Sequence, residues 1–455
     1  MTDDNTVLPT SGNLVIIGNG MVGHHLVKTL VEQGDASPWT LHVFAGENRP
    51  AYDRVHLSAL FDDQTPEDLC LSPAQWYRDN RVTLHLNDEV VEIDRENKTV
   101  ITAGGVRQDY DALVLATGSY PFVPPIPGID EIDILTSENL WTLTEQPRRL
   151  IVLGGGPIGC ELAQSFARLG SEVTQVEMLP RLMPREDEDA AALVTASLRD
   201  SGVTVLTNHK AARFAVEDGE KVLYVQADDG EKRLPFDAVL VAVGRRANTD
   251  GLGLEAMNIA TEKNGTVAVD GFLRTRFPNI FACGDVAGPY QFTHVAAHQA
   301  WYASVNALFG RFKKFQVDYR VIPWATFTDP EVARVGLSED EAREQGIEVE
   351  VTRYGIDDLD RAIADSTDHG FVKVLTPPGK DTILGVTIVG ESASDLISEY
   401  VLAMKHGLGL NKILGTIHIY PTMAEANKFA AGEWKKAHKP EGLLRWVERF
   451  HAWQR

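Results

Sequence analysis

The sequence predicts an α/β protein that contains two copies of one Rossmann-like domain. First, a short apolar strand, a glycine-rich turn and a helical pattern occur twice, beginning as "LVIIGNGMVG" at 14–23 and "LIVLGGGPIG" at 150–159. Second, each copy is followed by a matching apolar strand that ends in glycine, "YDALVLATG" at 110–118 and "FDAVLVAVG" at 236–244. Such a repeat indicates a duplicated domain. The 455 residues also leave room for a third domain, at roughly 150 residues each.

Both turns have the spacing G-x-G-x-x-G. In this motif the first glycine permits the tight turn, the second lets the backbone approach a pyrophosphate, and the third lets the helix pack on the strand. The helix N-terminus then faces the negative charge. A single turn of this kind is weak evidence, but two turns with matching closing strands predict two bound dinucleotides. The glycines are Gly18, Gly20 and Gly23 in the first copy and Gly154, Gly156 and Gly159 in the second.

Acidic residues after the turns suggest which nucleotide each copy binds. Glu177 ends the strand "SEVTQVE", where it would bind both ribose hydroxyls and repel a 2′-phosphate, so NADH is favoured over NADPH. Arg181 and Arg185 follow closely and would weaken that preference, although a surface role suits them equally. Glu47 is a looser match, assigned to the ribose of FAD. Asp285, in "FACGDVAGPYQFTHVAAHQA", either binds a ribityl hydroxyl or caps the following helix.

The composition excludes several classes of protein. The chain has 43 basic and 65 acidic residues, for a formal charge of −22, which argues against a nucleic-acid partner. The apolar runs are far shorter than the ~20 residues that span a bilayer. The start, "MTDDNTVLPTSG", lacks the apolar core of a secretory signal. We therefore expect a cytoplasmic protein.

Three cysteines, Cys70, Cys160 and Cys283, stand alone in the sequence. No C-x-x-C or C-x4-C pair is present, so neither a disulfide framework nor a metal site is predicted. We expect all three to be buried free thiols.

Several motifs together resemble one family. The two glycine turns, "ATG", "VGRRANT", "CGD" and "IPWATFTDPEVARVGLSEDEA" are similar to the flavoprotein pyridine nucleotide-disulfide oxidoreductase superfamily. From about residue 148 the chain most resembles mercuric reductase and dihydrolipoamide dehydrogenase. The first 128 residues, with "RPAYDRVHLSALF", resemble the FAD domain of the large subunit of NADH-dependent nitrite reductase. The resemblance implies a homodimer with a glutathione-reductase-like fold: FAD- and NAD-binding Rossmann-like domains and a C-terminal α+β dimerisation domain.

The resemblance also implies the domain order and the binding residues. We expect the first part of the FAD domain at 1–147, the NAD domain at 148–270, the second FAD part at 271–320, the interface domain at 321–440 and an amphipathic tail at 441–455. The residues implied to contact FAD are Gly18, Gly20, Met21, Val22, Gly23, Glu47, Arg49, Arg54, Val90, Ala116, Thr117, Gly118, Asp285, Phe292, Thr293 and His294. Those implied to contact NADH are Gly154, Gly156, Ile158, Gly159, Glu177 and Gly244, with Glu161 beside the nicotinamide.

The sequence departs from the family where thiol chemistry is carried out. In relatives with a single catalytic cysteine, that thiol falls near Arg54, and no cysteine is present there. The C-terminal "IHIYPTMAE" matches the pattern H-x-H-P-T-x-x-E, but Tyr420 stands in place of the catalytic base, leaving His418 and Glu425. These two either have no role or act together, with Glu425 holding His418 as a proton donor. Because a thiolate is required, we exclude disulfide and mercury reduction by the family mechanism.

The leading hypothesis is a thiol-independent NADH oxidoreductase that passes electrons through FAD to a separate acceptor, a redox protein or a quinone. A second hypothesis is direct two-electron reduction of a quinone or oxygen, assisted by His418 or Tyr420. A third is a redox-sensing module that binds FAD and NADH. The locally basic tail, 433–455, places Leu443, Trp446, Val447, Phe450 and Trp453 at helical spacing. That stripe either packs on the dimer partner or its own interface domain, or lies on a membrane surface.

Overall fold

The computed structural model describes residues 10–32, 38–61 and 64–454. Residues 1–9, which carry the prediction about a secretory signal, lie outside this part. The described chain divides into two compact units. The first comprises the residues up to Val123, Thr136–Thr144 and Gly244–Asp318; the second comprises Pro124–Leu135, Glu145–Val243 and the residues from Tyr319 onward.

The described residues between 10 and 144 form nine strands and two α-helices. The strands are β1 (Gly12–Ile17), β2 (Trp39–Phe44), β3 (Val82–His85), β4 (Val90–Asp94), β5 (Thr99–Thr102), β6 (Arg107–Asp109), β7 (Ala112–Leu115), β8 (Ser119–Pro121) and β9 (Ile134–Leu135). The helices are α1 (Met21–Glu32) and α2 (Ala74–Asp79), with short 3-10 turns at Leu57–Phe61, Ile129–Glu131 and Leu140–Thr142.

Residues 145–320 add nine strands and three helices. The strands are β10 (Arg149–Leu153), β11 (Glu172–Val176), β12 (Thr204–Leu206), β13 (Lys210–Glu217), β14 (Glu220–Ala227), β15 (Gly230–Phe236), β16 (Ala238–Val241), β17 (Arg245–Ala247) and β18 (Ile280–Ala282). The helices are α3 (Pro157–Arg168), α4 (Glu188–Asp200) and α5 (Thr293–Phe309).

The remaining residues form five strands and six helices. The strands are β19 (Pro323–Thr326), β20 (Glu331–Gly336), β21 (Glu350–Gly355), β22 (Phe371–Thr376) and β23 (Gly385–Gly390). The helices are α6 (Glu339–Glu344), α7 (Asp360–Asp365), α8 (Ala393–Lys405), α9 (Leu410–Leu414), α10 (Glu425–Ala437) and α11 (Glu441–Gln454), with a 3-10 turn at Ile356–Asp358. None of the described helices is both long and apolar enough to cross a membrane.

The first unit contains a parallel sheet in the order β18-β7-β1-β2-β3. Strand β7 is fully buried and β1 is buried from Leu14 to Ile17, because a parallel sheet of this kind is covered on both faces. Helices α1 and α5 pack against each other. Strands β4, β5 and β6 form a small antiparallel sheet, and β8 pairs with β17 as a two-stranded ribbon.

The second unit repeats the parallel sheet and adds an antiparallel one. Its parallel sheet has the order β12-β11-β10-β16-β9, so β10 holds the central place that β1 holds in the first unit. Strands β13, β14 and β15 form an antiparallel sheet of three. The C-terminal sheet is antiparallel in the order β19-β20-β23-β22-β21, with α8 and α10 packed against it. This is the expected α+β domain.

The division into units differs from the predicted boundary at residue 271. Residues from Gly244 onward join the first unit, because β17 pairs with β8 and β18 adds to the parallel sheet beside β7. Residues 148–243 of the predicted NAD domain and the predicted interface domain, 321–440, fall together in the second unit. The domain boundaries given by cofactor remain a prediction.

Buried charges lie inside the second unit. The Lys373 ammonium on β22 is 2.7–2.8 Å from carboxylate oxygens of Asp187, Asp189 and Glu339. Burial lowers the pKa of Lys373, but hydrogen bonds to the three carboxylates outweigh it and the net shift is upward. The same three acids are, among the described residues, a group close enough together to hold a metal ion. Because a lysine ammonium occupies their centre, we assign no metal there.

Candidate cofactor-binding and redox site

The first glycine turn joins β1 to α1, and its geometry explains each glycine. Gly18 has φ +109°, and a Cβ there would lie under 3.0 Å from the Ala116 carbonyl. A Cβ on Gly23 would come equally close to the Gly18 carbonyl oxygen. A Cβ on Gly20 would meet no atom within 4 Å. The outer glycines are thus required for packing, and the middle one leaves backbone open to a pyrophosphate.

The second turn, between β10 and α3, has the same arrangement. Gly154 has φ +110°, and a Cβ there would clash with the Ala242 carbonyl. A Cβ on Gly159 would clash with the Gly154 carbonyl, whereas Gly156 faces open space within 4 Å. Ile158 lies in the first turn of α3, just as Met21 and Val22 begin α1. Each turn therefore presents the surface that a dinucleotide requires.

Glu177 is held at the edge of the second turn. Its Oε2 accepts a hydrogen bond from the Gly155 N–H at 2.6 Å, and its Oε1 accepts one from the Leu179 N–H at 2.7 Å. Arg181 pairs with Asp340, at 2.8 Å. Arg185 is exposed. The Glu177 carboxylate is thus fixed beside the turn, where the sequence predicts that a ribose binds.

The first unit contains all the residues predicted to contact FAD. Thr117 and Gly118 follow β7, and the Thr117 hydroxyl donates to the Asn248 carbonyl at 2.7 Å. Asp285 follows β18, and its Oδ2 accepts a hydrogen bond from the Ser119 hydroxyl at 2.6 Å. Asp285 does not cap α5, whose N-cap residue is Phe292 without a side-chain hydrogen bond. The capping alternative for Asp285 is therefore wrong.

Other predicted FAD residues lie at the ends of elements. Phe292 stacks on His294, with ring centroids 5.4 Å apart, and Thr293 begins α5. Val90 begins β4, and Ala116 directly follows β7. Gly244, predicted for NADH, has φ +131° and open space where a Cβ would be.

The segment around Arg54, near which the resemblance implies the thiol of other family members, carries charges here. Arg54 forms an ion pair with Glu47. The Arg54 guanidinium also lies 4.8 Å from the centroid of the Tyr52 ring, and that of Arg49 lies 5.8 Å from it. Glu47 follows β2, so a carboxylate lies near the predicted ribose position but is already paired.

None of the three cysteines forms a disulfide bond. Cys160 and Cys283 are buried, and burial raises the pKa of each to about 12. Cys70 is half-buried, and its Sγ–H donates to the Ser72 carbonyl at 3.2 Å. Free cysteines were predicted, although Cys70 is less buried than expected. A thiol with so high a pKa is unreactive at neutral pH.

Glu161, predicted beside the nicotinamide, is an inward-facing carboxyl on α3. Burial raises the pKa of Glu161, and a hydrogen bond from the Phe327 N–H to its Oε1, at 2.8 Å, offsets part of that rise. The group can therefore approach neutrality nearer to physiological pH than an ordinary glutamate.

The C-terminal motif is built differently from the prediction. His418 Nε2 lies 3.0 Å from Glu399 Oε1, and its Nδ1 lies 3.1 Å from the Thr416 carbonyl. Glu425 begins α10, where its Oε2 accepts from the Thr422 N–H at 3.4 Å. The carboxylate that contacts His418 is therefore Glu399, because α8 brings it to the 416–418 loop while Glu425 points to its own helix start.

Tyr420 is exposed, and its hydroxyl donates to Asp360 Oδ2 at 2.9 Å. That carboxylate raises the pKa of Tyr420. No motif in the sequence indicates Glu399 or Ser119. Arg245, which contacts Ser119, stands in the motif "VGRRANT", and that motif could have indicated it.

Two family models match the chain. The pyridine nucleotide-disulphide oxidoreductase model matches residues 12–300, and the dimerisation-domain model of the same family matches 322–431. The chain belongs to this family. The superfamily and the fold that the sequence predicted are thereby confirmed, and the family is that of flavoprotein oxidoreductases that use FAD and a pyridine nucleotide. Both glycine turns fit such cofactors, since Gly20 and Gly156 leave the backbone open.

Mercuric reductases and dihydrolipoyl dehydrogenases are among the proteins that are similar to this chain over most of its length. Mercuric reductase of Streptomyces lividans is 38% identical over 319 residues, covering 70% of this chain and 66% of the relative. Dihydrolipoyl dehydrogenase of Chlamydia pneumoniae is 34% identical over 336 residues, covering 74% and 69%. The chain thus spans slightly less than two thirds of the mercuric reductase, and 61% of the one from Lysinibacillus sphaericus.

Solved structures share the fold. The HOCl-induced flavoprotein disulfide reductase RclA from Escherichia coli aligns with a TM-score of 0.77 and 26% identity, covering 92% of this chain and 99% of that one. A NAD-dependent persulfide reductase from A. fulgidus aligns with a TM-score of 0.82 and 23% identity, covering 95% and 84%. The second likeness concerns the fold alone.

Proposed function

We propose that this chain is a thiol-independent, FAD-dependent NADH oxidoreductase that passes electrons from NADH through the flavin to a separate acceptor, a redox protein or a quinone. The observation that carries the proposal is a complete pair of nucleotide turns in a chain without a cysteine near Arg54. Arg54 and its ion pair with Glu47 stand near the position of the family's single cysteine, and burial raises the pKa of Cys160 and Cys283 to about 12.

Bound FAD supplies the redox chemistry, and the chain supplies binding and position. Gly20 and the N-terminus of α1 would take one pyrophosphate, and Gly156 and the N-terminus of α3 the other. Asp285 would accept a hydrogen bond from the FAD ribityl chain. Glu161 would lie beside the nicotinamide.

The preference for NADH rests on Glu177. Its carboxylate is anchored by two backbone N–H groups, so it cannot turn away from a 2′-phosphate without breaking both hydrogen bonds. Arg181, the first cation after Glu177 in the sequence, is already paired with Asp340. A 2′-phosphate would therefore meet a fixed negative charge and no free guanidinium from Arg181.

Anaerobic reduction of the flavin tests the thiol-independent step. We expect NADH to bleach the flavin absorbance equally in the wild type and in a variant with Cys70→Ser, Cys160→Ala and Cys283→Ala, with rates within about twofold since no thiol takes part. The matched control is the FAD content of each preparation. Loss of bleaching in a fully FAD-loaded thiol-free variant would contradict the proposal.

Coenzyme preference is tested at Glu177. We expect Glu177→Ser to lower the ratio of kcat/KM for NADH to that for NADPH by about tenfold, or about 1.4 kcal/mol. Glu172→Ser is the control, because Glu172 begins β11, the strand that Glu177 directly follows, and is exposed beside Arg148. An unchanged ratio in Glu177→Ser would refute the assignment.

A second candidate, direct reduction of a small quinone or oxygen, is favoured by the His418–Glu399 contact and by the exposed Tyr420 hydroxyl. Both are groups that can supply protons to a two-electron acceptor. Steady turnover with a soluble quinone, lowered at least tenfold by His418→Ala, would support it over the leading proposal. Turnover that requires a protein acceptor and is unaffected by His418→Ala would exclude it.

The assembly and the tail are part of the same proposal. The match to the dimerisation domain supports a homodimer, and it ends at residue 431, before α11. On α11, Trp446 is 61% and Trp453 82% exposed; the side chain of Leu443, part of the predicted stripe, lies outside the described residues. The double variant Trp446→Ser, Trp453→Ser tests whether the stripe packs on the dimer partner or lies on a membrane. Weaker dimerisation in sedimentation would support packing on the partner. Loss of binding to anionic vesicles would support a membrane contact.

A further inference from the structure

A chain of hydrogen bonds leads from an arginine to Asp285. Arg245 Nε–H donates to Ser119 Oγ at 2.8 Å, and its Nη2–H donates to the Ser119 carbonyl at 2.7 Å. A guanidinium has no acceptor, so Ser119 Oγ must accept from Arg245. The single proton of the Ser119 hydroxyl is then directed to Asp285 Oδ2, 2.6 Å away. The polarity of the chain is therefore fixed from end to end.

The fold holds this series of hydrogen bonds rigidly. Strands β8 and β17 pair antiparallel with Arg245 opposite Pro121, so Arg245 and Ser119, two residues before Pro121, lie diagonally on one face of the ribbon. Arg245 is held at its other end as well, because Nη1 donates to Ser137 Oγ at 3.1 Å and Nη2 lies 3.4 Å from Glu138 Oε1. The guanidinium therefore has little freedom to turn.

We infer that Ser119 and Arg245 are positioning residues that orient the Asp285 carboxylate for the flavin cofactor. The inference rests on the proposed role of Asp285 in binding FAD. With Oδ2 held by Ser119, the plane of the carboxylate is set, and Oδ1 is presented in one direction to a ligand hydroxyl. Arg245 also follows Gly244 directly, so the segment predicted to contact the pyridine nucleotide is the one that orients a flavin contact.

The affinity of the FAD-free protein for FAD, measured by flavin fluorescence, tests the inference. A hydrogen bond to a charged group is typically strong, so we expect Ser119→Ala and Arg245→Gln each to raise the Kd for FAD by about ten- to a hundredfold. Ser119→Thr keeps the hydroxyl and should restore most of the affinity. Arg246→Gln is the matched control: it removes the same charge one residue away, where the guanidinium lies 3.9 Å from the centroid of the Phe122 ring.

A double variant separates positioning from mere structural support. If Ser119 acts through Asp285, Ser119→Ala combined with Asp285→Asn should bind FAD no more weakly than Asp285→Asn alone. A merely structural role would lower the melting temperature of the FAD-free protein and leave the effects on Kd additive, which would overturn the inference. So would a Kd within twofold of wild type for both Ser119→Ala and Arg245→Gln, provided that Asp285→Asn weakens binding. If Asp285→Asn itself leaves the Kd unchanged, the proposed role of Asp285 fails instead, and the inference fails with it.

Discussion

His24, four residues after Gly20 on α1, is predicted to make stability depend on pH. The ring is 5% exposed, with Nδ1 3.0 Å from the Tyr77 hydroxyl and Nε2 3.4 Å from Ser72 Oγ. Burial lowers its pKa to about 4, aided by the positive charge of Lys28 and by His25 and opposed by Glu32. The folded protein therefore keeps His24 neutral at pH values where the unfolded chain protonates it.

The size of the effect follows from the difference in pKa. Between the ordinary 6.5 and about 4 the unfolded state binds more protons, so stability falls as the pH falls through this window. At about 1.4 kcal/mol per unit the full contribution is about 3 kcal/mol, of which about 2 kcal/mol is already lost at pH 5. Above pH 6.5 the contribution no longer changes.

Urea unfolding at pH 7.5 and pH 5, with FAD saturating in every sample, measures this loss. We expect His24→Asn, whose amide can reach the Tyr77 hydroxyl but does not titrate, to lose about 2 kcal/mol less than the wild type between the two pH values. His25→Asn is the control, because His25 is the exposed neighbour. Equal losses in the wild type and His24→Asn, within about 0.5 kcal/mol, would refute the reasoning.

Further predictions concern packing, buried charge and thiols. Gly159→Ala should lower the melting temperature because its Cβ meets the Gly154 carbonyl, whereas Gly156→Ala should keep the fold and weaken NADH binding in a fluorescence titration; equal melting temperatures would contradict this. Lys373→Met should cost about 3–5 kcal/mol in urea unfolding, because it leaves three carboxylates facing one another, and a cost under about 1 kcal/mol would disprove it. With a pKa of about 12, roughly one Cys160 or Cys283 thiol in 10⁵ is ionised at pH 7, so a chromogenic disulfide should label Cys70 alone until the protein unfolds.

The nucleotide turns were predictable because their requirements are local. A positive φ at Gly18 and the close approach of Gly23 to the Gly18 carbonyl are set by a few consecutive residues, so spacing alone reveals them. Glu177 was predictable for the same reason, because it directly follows β11 and its carboxylate contacts the turn at Gly155.

Partners from distant elements could not be predicted. The contact between His418 and Glu399 joins a loop to α8, and the sequence offered Glu425, nearer to His418 in the family's motif, in its place. Likewise, the contact of Arg245 with Ser119 depends on the register of β8 against β17, which the sequence does not specify. Such pairs depend on tertiary packing rather than on periodicity or spacing.

The ammonium of Lys373 has a practical consequence for dissecting the molecule. Lys373 lies on β22 of the C-terminal sheet, whereas Asp187 and Asp189 lie at the start of α4. A fragment truncated at residue 320 would therefore leave these two carboxylates without their counterion. Fragments ending before β22 should consequently be expressed as insoluble or partly unfolded chains, and coexpression of the excised C-terminal piece should rescue them. The parallel-sheet half and the antiparallel half of the second unit are therefore expected to fold as one unit.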